Sequence, residues 1–599
     1  MGIIIQIILL GGGLAFFMFG MNIMSTGLEK LAGGKLESSL KKMTSNPFKS
    51  LLLGAGITIA IQSSSAMTVM LVGLVNSGIM QLGQTIGVIM GSNIGTTLTA
   101  WITGMSGLEG SGVMELLKPE NFSLVFALVG TVFIMFSKSD KKKNLAEIFI
   151  GFAILIWGME LMSMAMDPLK DMLEKESAAG GGVINDVLGF FSNPIIGVLV
   201  GAIVTGVIQS SAASVAILQN LAATGAVTYG MAIPIIMGQN IGTCVTALIS
   251  SIGVNKNARR VAVVHISFNL IGTLVCLVLF YLAKFLCGLL VPHLGIFGFA
   301  DAQVDGFGIA LVHTIFNVVT TAMLIPFKKQ LEKIAYLVIK EKEDHVEEYE
   351  FIDERLLSTP AIAVAECNNK SVQMCEIAFD SVSSAMALIG NFTQDGAQRI
   401  YDFESKLDFF EDKLGTALVK LSRAELSAKD SNSVSRQLHA IGDFERIGDH
   451  AINVLKVAQE MDEKGIQFSE KAQKEIALLN SALLEIFHLT RLAFETDDVE
   501  VAKKVEPLEQ VVDKLIKKIH AKHFERLSRG VCTIEMGFIL ADLLNNYERI
   551  SDHCSNIAVT TIEIDRDELE QHEYLNAVKM FDEEFANIYK DYKSKYTLE

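Results

Sequence analysis

Residues 48–78 read FKSLLLGAGITIAIQSSSAMTVMLVGLVNSG, an apolar stretch that a polar Gln-Ser-Ser-Ser run divides in its middle. A helix needs about 20 apolar residues to cross a bilayer core, and each arm of this stretch has only ~14. Polar, broken backbone at membrane depth is tolerated only where protein buries it or a wet cavity borders it. The stretch therefore predicts a re-entrant hairpin with Gln62-Ser63-Ser64 at its tip.

The same stretch recurs 147 residues later in the chain. Gln62-Ser63-Ser64 falls on Gln209-Ser210-Ser211, and the Gly-x-Asn-Ile-Gly-Thr run at 91–96 falls on the one at 238–243. Each copy is predicted to have three crossings and one hairpin. Because three is odd, the second copy would be inserted upside down. Inverted repeats with broken helices near the midplane are an architecture of secondary transporters.

The two Gly-x-Asn-Ile-Gly-Thr runs lie in segments that are long enough to span a membrane. These segments cover residues 82–104 and 229–252, and each carries its glycine-rich run near its centre. Glycine weakens a helix interior by about 1 kcal/mol relative to alanine. We therefore expect these two helices to be broken as well, giving four breaks in symmetric positions.

Charge and composition divide the chain into two parts. Up to residue 345 there are 21 Lys and Arg against 19 Asp and Glu; after it there are 29 against 48. The first part is dense in Gly, Ile, Leu, Val and Met, whereas the second is acidic with helical spacing. The acidic part argues against nucleic acid as a partner. The seven cysteines are scattered, as is typical of a reducing compartment.

Apolar segments and basic loops predict a multi-pass protein of the cell (inner or plasma) membrane. Single spans are expected at about 3–27, 121–137, 146–166, 260–283 and 305–327. If the hairpins do not cross, the basic residues at 30–49, 138–143, 256–260 and 328–329 all fall on one side. Cytoplasmic loops carry excess Lys and Arg, so the N-terminus is expected outside and the acidic part in the cytoplasm.

The predicted fold class is all-α, with a polytopic transporter domain followed by a soluble pair of three-helix bundles. The expected boundaries are a transmembrane domain at 1–335, a charged linker helix at 336–360 and a soluble domain at 361–599. Within the first domain, repeat 1 covers about 5–137, repeat 2 covers about 146–283, and an extra span covers 305–327.

The predicted breaks hold no charged side chain, which limits what they can bind. They offer amides, hydroxyls and the free N–H and C=O groups of helix ends. Helix N-termini and hydroxyls suit an oxyanion, whereas carbonyl and hydroxyl oxygens suit a small hard cation such as Na⁺. Both together indicate a cation-coupled carrier of an anion. The chemistry does not choose phosphate over a carboxylate.

The two Gln-Ser-Ser hairpins, each followed by Gly-x-Asn-Ile-Gly-Thr, resemble the bacterial branch of the type II sodium-dependent phosphate cotransporter family. The resemblance implies Na⁺-driven inward transport of inorganic phosphate. It implies phosphate ligands at Gln62, Ser63, Ser64, Gln209, Ser210 and Ser211, and sodium ligands among Ser65, Thr68, Asn93, Thr96, Thr97, Asn240 and Thr243. Ser65 and Thr68 have Ala212 and Val215 at the equivalent positions, so the two halves are not expected to offer equivalent sodium sites.

The acidic part contains its own repeat. Glu445-Arg446-Ile447-Gly448-Asp449-His450 matches Glu548-Arg549-Ile550-Ser551-Asp552-His553, and Glu-x-x-x-Asp at 404–408 matches the one at 509–513. Carboxylates four residues apart share one helix face. Facing helices of this kind make a site for a divalent or ferric metal, whereas a single such pair is more often a solvated stripe. The expected ligands are Glu404, Asp408, Glu445, Asp449, Glu509, Asp513, Glu548 and Asp552.

This acidic part resembles PhoU, a protein of phosphate regulation, over about 361–590. The combined expectation is a sodium-coupled symporter of inorganic phosphate with a cytoplasmic regulatory domain, embedded in lipid. Two alternatives stay open: a carrier of another oxyanion or a dicarboxylate, and a phosphate receptor that signals without net transport. Homo-oligomerisation is also left open. We find no glycine loop with a Lys and no nucleophile elbow, so an enzyme is not expected.

Overall fold

The computed structural model describes residues 2–32, 46–105, 118–178, 189, 192–290, 297–340, 351–565 and 583–598. Within these ranges the chain is helical and contains no β-strand, only an isolated bridge between Thr228 and Gln303. The chain forms two compact units, Met1–Ile362 and Ala363–Glu599. The predicted all-α fold is confirmed.

The first unit consists of twelve described α-helices. They are α1 (Gly2–Ala32), α2 (Pro47–Ile61), α3 (Ser64–Asn76), α4 (Leu82–Gly104), α5 (Pro119–Phe136), α6 (Asp140–Ala178), α7 (Pro194–Ile208), α8 (Ser211–Ala223), α9 (Tyr229–Ser250), α10 (Lys256–Leu290), α11 (Gly306–Leu324) and α12 (Lys328–Val338). Of these, α1, α5, α6, α9 and α10, together with residues 306–338, are long and apolar enough to cross a membrane. The first unit is therefore a multi-pass membrane domain. Part of the predicted basic loop, 33–45, lies outside the described residues.

The 147-residue repeat is reproduced in local structure. Asn46 and Asn193 each cap the following helix by accepting two backbone N–H bonds, and a proline occupies the first turn of both helices. Gly78 and Gly225 each adopt a positive φ, 74° and 77°. Equivalent residues therefore make equivalent turns in the two copies.

The helices that carry Gly-x-Asn-Ile-Gly-Thr are continuous, which corrects the prediction that they are broken. α4 and α9 each run without interruption through the glycine-rich stretch. The glycines permit close helix contact instead. A Cβ at Gly91 would lie 1.9 Å from the Leu51 carbonyl oxygen, and one at Gly238 would lie 2.0 Å from that of Val198. Of the four expected breaks, only the two at the Gln-Ser-Ser elements are therefore present among the described residues.

The described residues of the segment 336–360, for which a charged linker helix is predicted, are α-helical only at its two ends. α12 ends at Val338, where Ile339 turns to an extended conformation. Residues 354–358 form a 3₁₀ turn that Asp353 caps through its side chain. Residues 341–350 lie outside the described part of the chain.

The second unit has six long helices. They are α13 (Pro360–Leu388), α14 (Gln394–Leu421), α15 (Ala428–Glu463), α16 (Glu470–Thr496), α18 (Val505–Ser528) and α19 (Ile534–Asp565), with the short α17 (Val499–Ala502) and α20 (Glu583–Lys595) in addition. α16 has the length and hydropathy of a membrane span. Its apolar residues Leu479, Leu483 and Ile486 are fully buried, so the core of the bundle accounts for its composition.

Candidate functional site

The first break lies between α2 and α3. Gln62 follows the last residue of α2 in a left-handed conformation, with φ 54°. Ser63 then caps α3, its Oγ accepting from the Ala66 N–H at 3.1 Å. The Gln62 side chain is held at both ends: its Nε2 donates to the Ile59 carbonyl at 2.6 Å, and its Oε1 accepts from Thr99 Oγ1 of α4 at 2.9 Å.

The second break repeats the backbone of the first but not its side-chain contacts. Gln209 is left-handed, with φ 58°, and Ser210 caps α8 by accepting from Ala213. Thr205 Oγ1 donates to Ser214 Oγ at 2.8 Å across the break. Residues nine apart on one straight helix would lie about 13 Å apart, so α7 and α8 fold back on each other.

The two Gln-Ser-Ser elements differ in exposure. Gln62 is 9% exposed and buried against Thr99, whereas Gln209 is exposed. The residue equivalent to Thr99 is Thr246, whose buried Oγ1 has no hydrogen-bond partner within the described residues. The first copy thus makes a hydrogen bond between Gln62 and Thr99, and the second copy makes no equivalent bond among the described residues.

The second helix of each hairpin packs against the other copy. α3 of the first copy contacts α9 of the second, and α8 of the second copy contacts α4 of the first. α1 borders both breaks: Ser25 Oγ donates to the Ile61 carbonyl, and Phe17 shares a core cluster with Ala213 of α8. The two copies therefore interlock around the helices that carry the breaks.

The expected sodium ligands lie on α3, α4 and α9. Thr68, Asn93, Thr97, Asn240 and Thr243 are buried, and Ser65 and Thr96 are half-buried. Most donate to a backbone carbonyl of their own helix. For example, Asn93 Nδ2 donates to Ile89 and Thr243 Oγ1 to Gln239. Donating in this way leaves the oxygen lone pairs of these side chains as acceptors for a cation.

Four polar residues beside the breaks were not predicted from the sequence as part of the site. They are Thr58, Thr99, Thr205 and Ser214, all buried. Thr58 Oγ1 donates to Ser92 Oγ at 2.8 Å, whereas its equivalent Thr205 donates to Ser214. The change follows from Gln239 replacing Ser92, because Gln239 Nε2 reaches the Ser214 carbonyl at 3.0 Å. A threonine four residues before each glutamine was the available signal.

In the second unit, three expected metal ligands converge. Glu509, Asp513 and Asp552 each offer a carboxylate oxygen within 4.8 Å of the others. Asp513 Oδ1 is buried and has no hydrogen-bond partner among the described residues. Burial and the neighbouring Asp513 raise the pKa of Asp552. Three carboxylates this close repel one another, and such a group fits a hard cation.

The first copy of the acidic motif is more open. Asp408 and Asp449 are exposed. Burial raises the pKa of Glu445, and the nearby carboxylates of Asp449 and Asp408 raise it further. Between the copies, His553 Nδ1 bonds Asp443 and His450 Nδ1 bonds Asn546, both at 2.8 Å. The tight carboxylate group belongs to the second copy; its Glu548 is not part of the group of three.

A multi-pass helical membrane unit with two repeated helix breaks, followed by a helical bundle, defines a membrane transporter with an appended domain. The Na⁺/Pi-cotransporter family model matches residues 16–164 and 164–297. The PhoU domain model matches 372–458 and 476–561. The chain carries a Na⁺/Pi-cotransporter domain followed by a C-terminal PhoU domain; it is a transporter, not an enzyme.

Similar proteins include both bacterial and mammalian chains. The "Putative inorganic phosphate export protein YjbB" of Salmonella typhimurium is 22% identical over 569 residues, covering 94% of this chain and 98% of that protein. The sodium-dependent phosphate transport protein 2A of Rattus norvegicus is 39% identical over 176 residues, 27% of each chain. The crystal structure of PhoU from Pseudomonas aeruginosa matches with a TM-score of 0.32 and 22% identity, over 34% of this chain and 97% of that one.

Proposed function

We propose that the chain is a sodium-coupled symporter that carries inorganic phosphate into the cell and is regulated by its PhoU domain. One observation carries the proposal: two helix breaks at a 147-residue offset, each formed by a left-handed glutamine and a serine that caps the next helix. Left-handed backbone costs a residue other than glycine about 1–2 kcal/mol. Such strain persists where the surrounding structure enforces it, often at functional sites.

The breaks suit phosphate because each presents the N-terminus of a short helix. The unpaired N–H groups and the dipole of a helix N-terminus favour an oxyanion. We infer that phosphate is held by Gln62, Ser63, Ser64, Gln209, Ser210 and Ser211. No Lys or Arg stands within five positions of either glutamine in the sequence. A bound cation would then supply the positive charge, and that need favours sodium coupling.

The sodium ions would be held by oxygens from the hairpin and the helix beside it. The candidates are Ser65, Thr68, Asn93, Thr96, Thr97, Asn240 and Thr243. Most of these side chains are buried, and the two Gln-Ser-Ser elements hold no charged side chain. Na⁺ takes neutral oxygen ligands, so this setting suits it. Ala212 and Val215 replace Ser65 and Thr68 in the second copy. The first copy would therefore provide more of the sodium ligands.

The proposed orientation puts the N-terminus outside and the PhoU domain in the cytoplasm. Basic residues stand at helix ends that would share the cytoplasmic side, and Lys30 of α1 pairs with Glu147 of α6 at 3.0 Å. Arg260 lies near the start of α10, and its guanidinium stacks on the Tyr336 ring 4.0 Å from the centroid. The opposite ends meet where Trp101 packs against Phe307. The excess of Lys and Arg favours the first side as cytoplasmic.

The direction of transport has a specific rival. A relative that matches nearly the full length of both chains bears the name "Putative inorganic phosphate export protein YjbB". A symporter runs down the combined gradient of its two solutes, so the same site supports either direction. We propose inward transport because a cell maintains an inward Na⁺ gradient. Phosphate efflux from loaded vesicles at a rate that does not depend on external Na⁺ would favour export instead.

The PhoU domain is proposed to bind a divalent or ferric metal at Glu509, Asp513 and Asp552. The first copy would offer a looser site from Glu404, Asp408, Glu445 and Asp449, and Glu548 borders the tighter one. Elemental analysis of the purified protein, compared with Asp513→Asn with Asp552→Asn, tests this. Equal metal content in both proteins would reject the site.

The transport proposal is tested with purified protein in proteoliposomes. Radiolabelled phosphate uptake is measured with an inward Na⁺ gradient and with K⁺ in its place. Competition by arsenate against succinate separates a phosphate carrier from a dicarboxylate carrier. Calorimetric phosphate binding with no uptake would favour a receptor.

A further inference from the structure

A buried network outside the transport site joins the chain after α12 to the first hairpin. We name residues 351–358 the linker turn. Asp353 in this turn is fully buried, and Asn76, the last residue of α3, donates to its carboxylate at 2.7 Å. Arg355 donates to the same carboxylate at 3.1 and 3.2 Å, and to the Ile252 carbonyl at 2.8 Å.

The turn between α9 and α10 is part of the same network. The Asn255 N–H donates to Asn76 Oδ1 at 2.8 Å, and Asn255 Nδ2 donates to the Asn76 carbonyl at 3.1 Å. Leu356 is fully buried, and its Cδ2 lies 3.0 Å from where a Cβ at Gly73 would stand. Three segments therefore meet around one buried carboxylate: the end of the first hairpin, the α9–α10 turn and the linker turn.

Such a network favours two discrete states. A carboxylate buried without partners is strongly unfavourable. The network around Asp353 therefore either stays intact or comes apart completely, with its polar groups in water. Both elements that the linker turn joins belong to the transport machinery. α3 begins at the first Gln-Ser-Ser element, and α9 carries the Gly-x-Asn-Ile-Gly-Thr run of the second copy.

We propose that the linker turn is an inhibitory latch: docked, it ties the first hairpin to the α9–α10 turn and prevents the cytoplasmic end of the carrier from opening. The chain passes from the linker turn directly into α13, whose residues from Ala363 belong to the second unit. A ligand or metal that shifts the start of α13 would therefore dock or undock the linker turn. The proposal rests on the transport function proposed above.

A disulfide staple tests the latch. An ideal Cβ at Gly73 lies 3.7 Å from the Arg355 Cβ, within the ~3.5–4.5 Å span of Cβ atoms in disulfides. Gly73→Cys with Arg355→Cys is made in a chain whose seven native cysteines have been replaced and that still takes up phosphate. Oxidation locks the latch. Reduction releases the linker turn, because the Arg355→Cys substitution has also removed the ion pair with Asp353.

We expect the reduced double variant and Arg355→Cys alone to take up phosphate about tenfold faster than the oxidised double variant. Gly73→Cys alone serves as the control and should not respond to oxidation. Equal uptake by the oxidised and reduced double variants would overturn the latch.

A second variant separates the latch from the transport function. Asp353→Asn keeps the side-chain size and removes the charge. Hydrogen exchange of the α3 amides should be faster in Asp353→Asn than in the parent protein, whether or not phosphate moves. Unchanged exchange would overturn the docking role. Absence of uptake by every variant, including the parent, would instead defeat the transport proposal.

Discussion

Thr99 of α4 donates its hydroxyl to Gln62 Oε1 at 2.9 Å, and this bond fixes the side chain of the left-handed residue at the first break. The opposite end of the same amide bonds the Ile59 carbonyl. The first break is therefore braced by its own helix and by the neighbouring one. The second break has no such brace, since Thr246 Oγ1 is unpartnered among the described residues.

Thr99→Val is expected to lower phosphate uptake severalfold. The buried Gln62 oxygen would lose its donor, and an unsatisfied buried polar group costs about 1–3 kcal/mol. Thr99→Ser should retain uptake because it keeps the hydroxyl. Initial uptake rates in proteoliposomes provide the measurement.

The matched control for this prediction is Thr246→Val in the second copy. It removes a hydroxyl at the equivalent position that makes no bond within the described part of the protein. Uptake should stay near that of the parent protein. Equal losses for the Thr99 and Thr246 variants would contradict the proposed brace.

Ser210→Ala is expected to reduce phosphate uptake by roughly 10–100-fold, because hydrogen bonds to a charged ligand contribute about 1.5–3 kcal/mol. The serine also caps α8, so thermal unfolding must show that the protein remains folded. Ser250→Ala is the control, because that hydroxyl bonds only its own helix at the Ala247 carbonyl. Normal uptake by Ser210→Ala would count against the phosphate site.

Gly91→Ala is expected to destabilise the membrane unit by about 1–3 kcal/mol. Its Cβ would stand 1.9 Å from the Leu51 carbonyl oxygen, so α2 and α4 would have to separate. Gly56→Ala meets nothing within 4 Å and should be neutral or stabilising. Thermal unfolding in detergent compares the two; equal midpoints would contradict the close-packing role.

Asp552→Asn is expected to lower metal binding and to make the metal-free protein more stable near neutral pH. The pKa of Asp552 is raised in the fold by burial and by Asp513. The folded state therefore binds this proton more tightly than the unfolded chain. Its contribution makes the free energy of unfolding rise as pH falls through the raised pKa, towards the ordinary value of 3.8.

The asparagine variant should lack this pH dependence. The Asp552 side chain is 39% exposed, so solvent screens the repulsion and the gain near neutral pH is roughly 0.5 kcal/mol. Chelated parent and variant proteins are unfolded thermally between neutral and mildly acidic pH. Parallel curves would contradict the assigned repulsion.

The sequence predicted the helical class, the membrane unit, the two Gln-Ser-Ser elements and the long helices of the acidic part, because each leaves a periodic or composition signal. It misjudged the glycine runs at 91–96 and 238–243. Glycine signals both a helix break and a close helix contact, and only the position of the neighbouring helix distinguishes them. Orientation and the inverted relation of the repeats stay predictions.

Side-chain partners across the fold could not be predicted. The bond between Gln62 and Thr99 joins residues 37 apart, and the Asp353 network joins residues 277 apart. No local pattern encodes such pairs. The convergence of Glu509, Asp513 and Asp552 followed from helix periodicity only in part: the spacing put two on one face, and bundle packing brought the third.

The most direct test of the central claim is the initial rate of radiolabelled phosphate uptake into proteoliposomes under an inward Na⁺ gradient, with K⁺ replacing Na⁺ as the reference. A sodium-coupled phosphate symporter predicts uptake that requires Na⁺, is competed by arsenate but not by succinate, and is lost in Ser210→Ala. Phosphate uptake at the same rate in Na⁺ and K⁺, or no uptake by folded protein, would contradict it.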